Sequence, residues 1–226
     1  MRIIKEALPG CLMCLMVATG DAAAVSLEAP GLEALAGTTA AAQPELEGVV
    51  LEDVLRPFTI EWGAGLSVTG TIQDRVVQSN IDNTLIFSYR IINDATSDAP
   101  ISFAMRDDYA GFTTDVDWRS DGLGMIGPSF ATRNFDGSEV SFFFNGHGKI
   151  DPGEDSYFFF IKTDATAYNE AGAGVLAVTG SENNGRSFHF STFQPMVVPL
   201  PNALYLFVTG LMGLVLVKRR SNATLR

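Results

Sequence analysis

Thr84–Ile92 alternates strictly. Leu85, Phe87, Tyr89 and Ile91 fall on one side and Ser88 and Arg90 on the other. A period of two marks a strand with one buried face. Ile101, Phe103 and Met105 alternate with Ser102, Ala104 and Arg106 in the same way, and Val140, Phe142 and Phe144 alternate with Ser141 and Phe143. Tyr157–Ile161 is apolar on both faces, as a central strand is, and Val175–Thr179 and Phe188–Phe193 complete the set. Between these runs stand Asn93–Pro100, Asp136-Gly137, Asn145–Gly148, Asp151-Pro152-Gly153 and Asn183-Asn184-Gly185, all rich in turn formers. No stretch in this region sustains a helical period, and no fixed repeat suggests a solenoid. The pattern predicts an all-β domain over residues 57–196: a two-layer antiparallel β-sandwich of roughly eight strands, in jelly-roll or immunoglobulin-like order.

Both ends break this pattern. Ala203–Val217 is an apolar run without a charge, followed by Lys218-Arg219-Arg220. As a helix it would extend ~22 Å at about 1.5 Å per residue, short of a ~30 Å hydrocarbon core. It has no polar face, which argues against a buried helix of a globular domain. Residues 197–220 therefore predict a single C-terminal transmembrane helix. Its basic cluster stays on the cytoplasmic side, because basic residues resist translocation, and 221–226 form a cytoplasmic tail. Residues 1–24 read as a signal peptide, with Arg2 and Lys5, then the mostly apolar Ala7–Ala18, then small residues at Ala22-Ala23-Ala24. Cys11 and Cys14 both lie in it, so the exported chain has no cysteine for a disulfide or a nucleophile. Leu8-Pro9-Gly10-Cys11 has the look of a lipoprotein cleavage box but precedes any hydrophobic stretch. Residues 25–56, rich in Ala, Glu, Leu and Gly and punctuated by Pro30 and Pro44 with Pro57 just beyond, read as a flexible or partly helical spacer, within which Val49–Leu55 fits either a first short strand or a helical turn.

Val198-Pro199-Leu200-Pro201, the apolar run containing Gly210-Leu211 and Gly213-Leu214, and Lys218-Arg219-Arg220 together resemble the C-terminal sorting signal of PEP-CTERM proteins, most closely its VPLPA variety. Asn202 stands where Ala is usual, and Ser221–Arg226 trail the basic cluster. The resemblance implies a protein of Gram-negative, usually exopolysaccharide-producing bacteria. Such proteins are anchored in the inner membrane during sorting, processed by the membrane enzyme exosortase, and then displayed on the cell surface or released. Pro152-Gly153-Glu154, Tyr157–Thr163, Asp164–Tyr168 and the Gly-rich strand that follows are similar to the end of many PEP-CTERM ectodomains. That likeness implies a β-sandwich and carries no catalytic residue.

Charge narrows the partners. Residues 25–199 hold 24 acidic and nine basic side chains, a balance of −15. Such a surface repels phosphates, so no nucleic-acid partner is expected. Candidate chemistry is sparse. Asp115, Asp117 and Asp121 have the acidic rhythm of a calcium loop, but Arg119 takes the third ligand position, Ser120 replaces the sharp-turn glycine and Ile126 replaces the closing Glu. Asp107 and Asp108 are adjacent and would face opposite ways in a strand, which rules them out as a glycosidase pair. His147 belongs to a turn and His189 to the polar face of its strand, a poor basis for a metal site. No Ser sits in a Gly-x-Ser-x-Gly elbow. Gly122, Gly124 and Gly127 match a dinucleotide fingerprint without the strand and helix it needs. The expectation is no cofactor, no metal and no catalytic residue. Three functions remain. The first is a non-enzymatic surface or matrix protein, handled by an exosortase-type enzyme, with extracellular polysaccharide as a candidate partner. The second is a carbohydrate- or calcium-binding module, which exposed Trp62, Tyr109 and Trp118 would favour. The third is a hydrolase with an unrecognised site.

Overall fold

A computed structural model describes residues 23–146, 148–178 and 186–198. The expected signal peptide and C-terminal transmembrane helix, including Pro199, Leu200, Pro201, Lys218, Arg219 and Arg220, lie outside the described residues. Within them the protein is all-β, two antiparallel sheets of six strands each, with only two short 3₁₀ turns at Pro44–Glu47 and Gly63–Gly65. In the first sheet the order is β1 (Val25–Ser26), β7 (Thr114–Trp118), β10 (Phe159–Thr163), β5 (Leu85–Asn93), β4 (Leu66–Gln78) and β3 (Val49–Trp62). The second sheet runs β2 (Gly31–Ala34), β8 (Phe130–Arg133), β9 (Val140–Phe143), β6 (Ile101–Arg106), β11 (Tyr168–Val178) and β12 (Ser187–Pro195). Only β3–β4–β5, β8–β9 and β11–β12 follow one another within a sheet. Elsewhere the chain crosses between sheets, so contacts distant in sequence hold the two layers together.

The core follows the alternation in most strands. Leu85, Phe87, Tyr89 and Ile91 are all fully buried, and Val140, Phe142 and Phe144 join them from the other sheet. Phe142 and Phe159 meet between the layers with ring centroids 4.8 Å apart. Phe158 and Phe160 fill the other face of the same central strand, as its two-sided apolarity predicts.

Strand β6 departs from the expected facing. Ala104 and Arg106 point into the core, while Phe103 and Met105 lie on the half-buried outer face. The register shifts between Ala177 and Val178 of the neighbouring β11, and this irregularity lets Ile101 point inward together with Ala104 and Arg106. An irregularity of this kind reverses side-chain parity along a strand. Ala104 stands beside Phe142, where the large ring leaves room for a methyl group only.

Residues 25–56 are not a spacer. β1 pairs with β7, β2 pairs with β8, and β3 already begins at Val49. β1 and β2 are short and are held by partners roughly ninety to a hundred residues away in the chain, and β3 pairs with the β4 that follows it. Pro57 accordingly lies inside β3 rather than at a boundary. β3 is the outermost strand of its sheet, where a missing N–H can face away from the ladder.

At one end of the sandwich the buried Arg133 spends all five of its N–H donors. Nε donates to Gly137 O, Nη1 to Leu27 O and Thr114 Oγ1, and Nη2 to Tyr109 O and Phe112 O, at 2.8–3.2 Å. Burial draws its pKa below the usual arginine value.

Phe142→Ala and Phe159→Ala are each expected to lower stability by about 3–5 kcal/mol in urea unfolding, as deletion of a fully buried ring does. Phe103→Ala, on the outer face, is expected to cost clearly less. Equal losses at positions 103 and 142 would mean that the facing of β6 is wrong.

Candidate functional site

Of the residues expected to form a sorting signal, Val198 alone falls among those described. β12 ends at Pro195, and the last backbone bond among the described residues runs from Met196 N to Ala167 O at 2.9 Å. Val197 and Val198 then project into solvent, 71% and 55% exposed. The chain thus leaves the domain as an accessible stretch next to Pro199.

A second candidate lies on the outer face of the first sheet, where residues 37–48 cross as a strap. Leu46, buried, packs on Val77, Ile86 and Phe160. Thr38 N donates to Trp118 O, Ala40 N to Asp121 Oδ2, Arg119 Nη1 to Leu46 O and Lys162 Nζ to Glu45 Oε1. Gly37 is required here: its φ is +83°, and a Cβ would come within 2.6 Å of the Trp118 indole. Under the strap is a cavity of about 270 Å³ with an apolar floor that includes Val77, Ile86 and Phe158. The Arg75 guanidinium lies 4.4 Å above the Phe158 ring and is bound to Asp53; Arg119 is bound to Asp121. Both cations are therefore neutralised within the protein.

The would-be calcium residues serve this strap. Asp115 and Asp117 lie in β7, not in a loop. Asp117 is buried and its Oδ1 accepts from Gly37 N and Trp118 N, both at 2.9 Å. Burial pushes its pKa up to about 6, against those two donors. Asp121 is taken by Arg119 and Ala40. Among the described residues no group of three or more His, Cys, Asp and Glu is placed to hold a metal ion. Asp107 and Asp108 follow the end of β6, where Asp108 adopts a positive φ of 74° and takes its N–H to Asp107 Oδ1. His189 is exposed on the polar face of β12, as alternation places it; His147 lies outside the described residues.

Between the sheets sits a polar cluster that sequence reading missed. The hydroxyls of Tyr89 and Tyr109 are 2.9 Å apart, and the Arg106 guanidinium stacks 3.7 Å from the Tyr89 ring and 4.6 Å from Phe190. Asp74 accepts from Arg56 Nε and Thr192 Oγ1. Burial raises the Tyr89 hydroxyl to about 12 and that of Tyr109 well above its ordinary value. The cluster joins the two layers, since Tyr89 belongs to the first sheet and Arg106, Phe190 and Thr192 to the second. The alternation of β6 gives no signal for it, since it sets Arg106 on the polar face with Ser102 and Ala104.

The aromatics that would favour sugar binding are differently placed. Tyr109 is buried, and Trp118 stacks on Tyr157 at 4.9 Å beneath Gly37 and Gly127. The Trp62 side chain lies outside the described residues. A different row, Phe130, Phe143 and Phe103, crosses the outer face of the second sheet beside a cavity of about 320 Å³. Phe130 and Phe143 stack at 4.5 Å with an interplanar angle of 11°, and Phe103 meets Phe143 edge-on at 5.1 Å. Of these rings, Phe130 and Phe143 lie face to face, while Phe103 turns an edge to Phe143.

Among the described residues no helix is long and apolar enough to cross a membrane. No family model, curated protein or solved structure matches the chain.

The raised pKa of Asp117 gives a signed prediction. Between about pH 4 and 6 the folded protein holds this proton and the unfolded chain does not. This group therefore adds stability as pH falls through about 6, and the gain is complete below the ordinary carboxylate value. The lowered pKa values of Glu45, Asp53 and Asp121 act oppositely and mainly below about pH 4. Asp117→Asn keeps an acceptor for Gly37 and Trp118, so the variant is expected to lose the stability gain between pH 7 and pH 5 seen by thermal unfolding of the parent. An unchanged gain would mean that Asp117 is ionised throughout.

Proposed function

We propose that this chain is an exported β-sandwich protein. Its C-terminal apolar run, Ala203–Val217, holds it at the inner membrane, with Lys218, Arg219 and Arg220 inside. An exosortase-type enzyme processes it at Val198–Pro201, and the ectodomain then resides on the cell surface or outside the cell. There it acts without catalysis, in association with the envelope or its extracellular polysaccharide.

The observation that carries this reading is the exit of the chain from the domain. Cleavage beyond Val198 removes no residue from either sheet, since β12 ends at Pro195 and the final backbone bond is made by Met196. The exposed Val197 and Val198 lead directly into Pro199-Leu200-Pro201. Each proline restricts its own φ and disfavours the helical region in the residue before it. An extended, unpaired stretch is what a protease-like cleft accepts. The apolar run begins at Ala203, which keeps this stretch within reach of a membrane-embedded enzyme.

Mass spectrometry of the mature protein tests the reading. The expected C-terminus lies near Pro201 and reverts to an intact Arg226 when Pro199 and Pro201 are both changed to Ala. An intact Arg226 in the unaltered protein, isolated from cells that carry the exosortase, would make the tail a plain anchor.

A further inference from the structure

Two hairpins at the same end of the sandwich repeat one local design. Ile81-Asp82-Asn83-Thr84 joins β4 to β5 in the first sheet, and Phe135-Asp136-Gly137-Ser138 joins β8 to β9 in the second. In each, the Asp Oδ1 accepts both the backbone N–H and the hydroxyl of the residue two positions on, at 2.8–3.1 Å. In each, the third residue has a positive φ, 61° at Asn83 and 76° at Gly137. The carboxylate is thereby turned back into the turn, and the apolar residue before it is thrust outward. Ile81 is 64% exposed and Phe135 is 87% exposed. The turn chemistry is supplied by Asp, Asn or Gly, and Ser or Thr. Nothing in the fold calls for Ile or Phe at these tips.

This is also the end from which the chain departs. Gln78 and Leu85 flank the first hairpin, and Leu85 N bonds Ala165 O in the β10–β11 turn. Ala167 of that same turn receives the bond from Met196. Arg133 and Val140 flank the second hairpin, and Arg133 ties it through Phe112 and Thr114 to the start of β7, which pairs with Thr163 beside the turn. The exposed Val197 and Val198 project here too. From Val198 to Ala203 is five residues, roughly 16–18 Å when extended, and that is the whole tether between this end and the apolar run.

We infer that this end of the sandwich seats on a lipid surface, with Ile81 and Phe135 inserted at the interface beside Val197 and Val198. The inference rests on the reading of Ala203–Val217 as a membrane segment and adds an orientation to it: the hairpin tips face the bilayer and the β3–β4 tip faces away. The charge of this end selects the lipid. Asp82, Asp108, Asp136 and Asp164 are exposed, whereas the basic groups at this end are taken: Arg133 is buried and fully bonded, Arg106 is buried, and Lys162 is bound to Glu45. The surface is thus one of neutral headgroups, since anionic ones would be repelled.

The test uses the full chain in phosphatidylcholine nanodiscs, with Ile81→Trp, Phe135→Trp and, at the opposite end, Met125→Trp. Each replaced residue is exposed, and Met125 N bonds Asp155 O at the far end of the domain. Relative to the unaltered protein, the added fluorescence at positions 81 and 135 is expected to shift to the blue and to be quenched by lipids brominated near the headgroup. That at position 125 is expected to do neither. Replacing part of the neutral lipid with phosphatidylglycerol should weaken the quenching at low salt. Equal quenching at all three positions, none at any, or stronger quenching in the anionic lipid would overturn the inference. So would a blue shift without quenching, which would place the tips against a second copy of the chain. Those results leave the membrane tail standing. A protein that fails to co-purify with the nanodisc lipid overturns both the tail and the orientation.

Discussion

The packing of this domain depends on a cation held away from water without a carboxylate. A guanidinium in such a place loses its hydration, and the loss is tolerable only if every N–H finds an acceptor. Arg133 meets that condition with four backbone carbonyls and one hydroxyl. The acceptors come from the segment before β2, the loop after β6, the start of β7 and the β8–β9 hairpin; backbone bonds join these in pairs, Leu27 N to Thr114 O and Tyr109 N to Ser138 O, and Arg133 joins all four. The geometry of one side chain therefore sets how the N-terminal segment and two crossings between sheets meet. A lysine has three donors on a rotatable head and could not satisfy the same set.

The other buried charges are held differently. Arg106 donates from Nη1 to Met105 O while its Nε and Nη2 meet no acceptor among the described residues, and it stacks instead between Tyr89 and Phe190, so its planar face is covered by π-systems from both sheets. Asp74 takes donors from β3 and β12, the two strands at the far edge. Asp117 binds the strap to the outer face. Polar contacts thus join elements that meet late in the chain, while the alternating phenylalanines supply the bulk of the buried apolar area.

How much of this was legible depends on which force places each residue. β5 and β9 could be read face by face because burial alone orients them. β6 could not, because a register irregularity in its pairing with β11 reverses its parity and no local pattern announces it. The segment before residue 57 was unreadable for a related reason. β1 and β2 are two and four residues long, and their positions come from Val116, Asp115, Arg133 and Phe130 far along the chain. Asp117 looked like a ligand because its spacing from Asp115 and Asp121 suits one; what the sequence could not say is that its partner is the amide of Gly37. The resemblance at the C-terminus is the reverse case, carried wholly by local composition.

Pro57 has a consequence beyond its own strand. β3 is fourteen residues long and borders open solvent along one side, with Val49, Val50, Leu51 and Leu55 exposed on it. A border of that length and character invites a foreign strand to extend the ladder, and chains displayed densely would polymerise through it. A residue that cannot donate, set near the middle, breaks the register any newcomer must follow. The proline that looked like punctuation between segments is better understood as a guard against fibre growth.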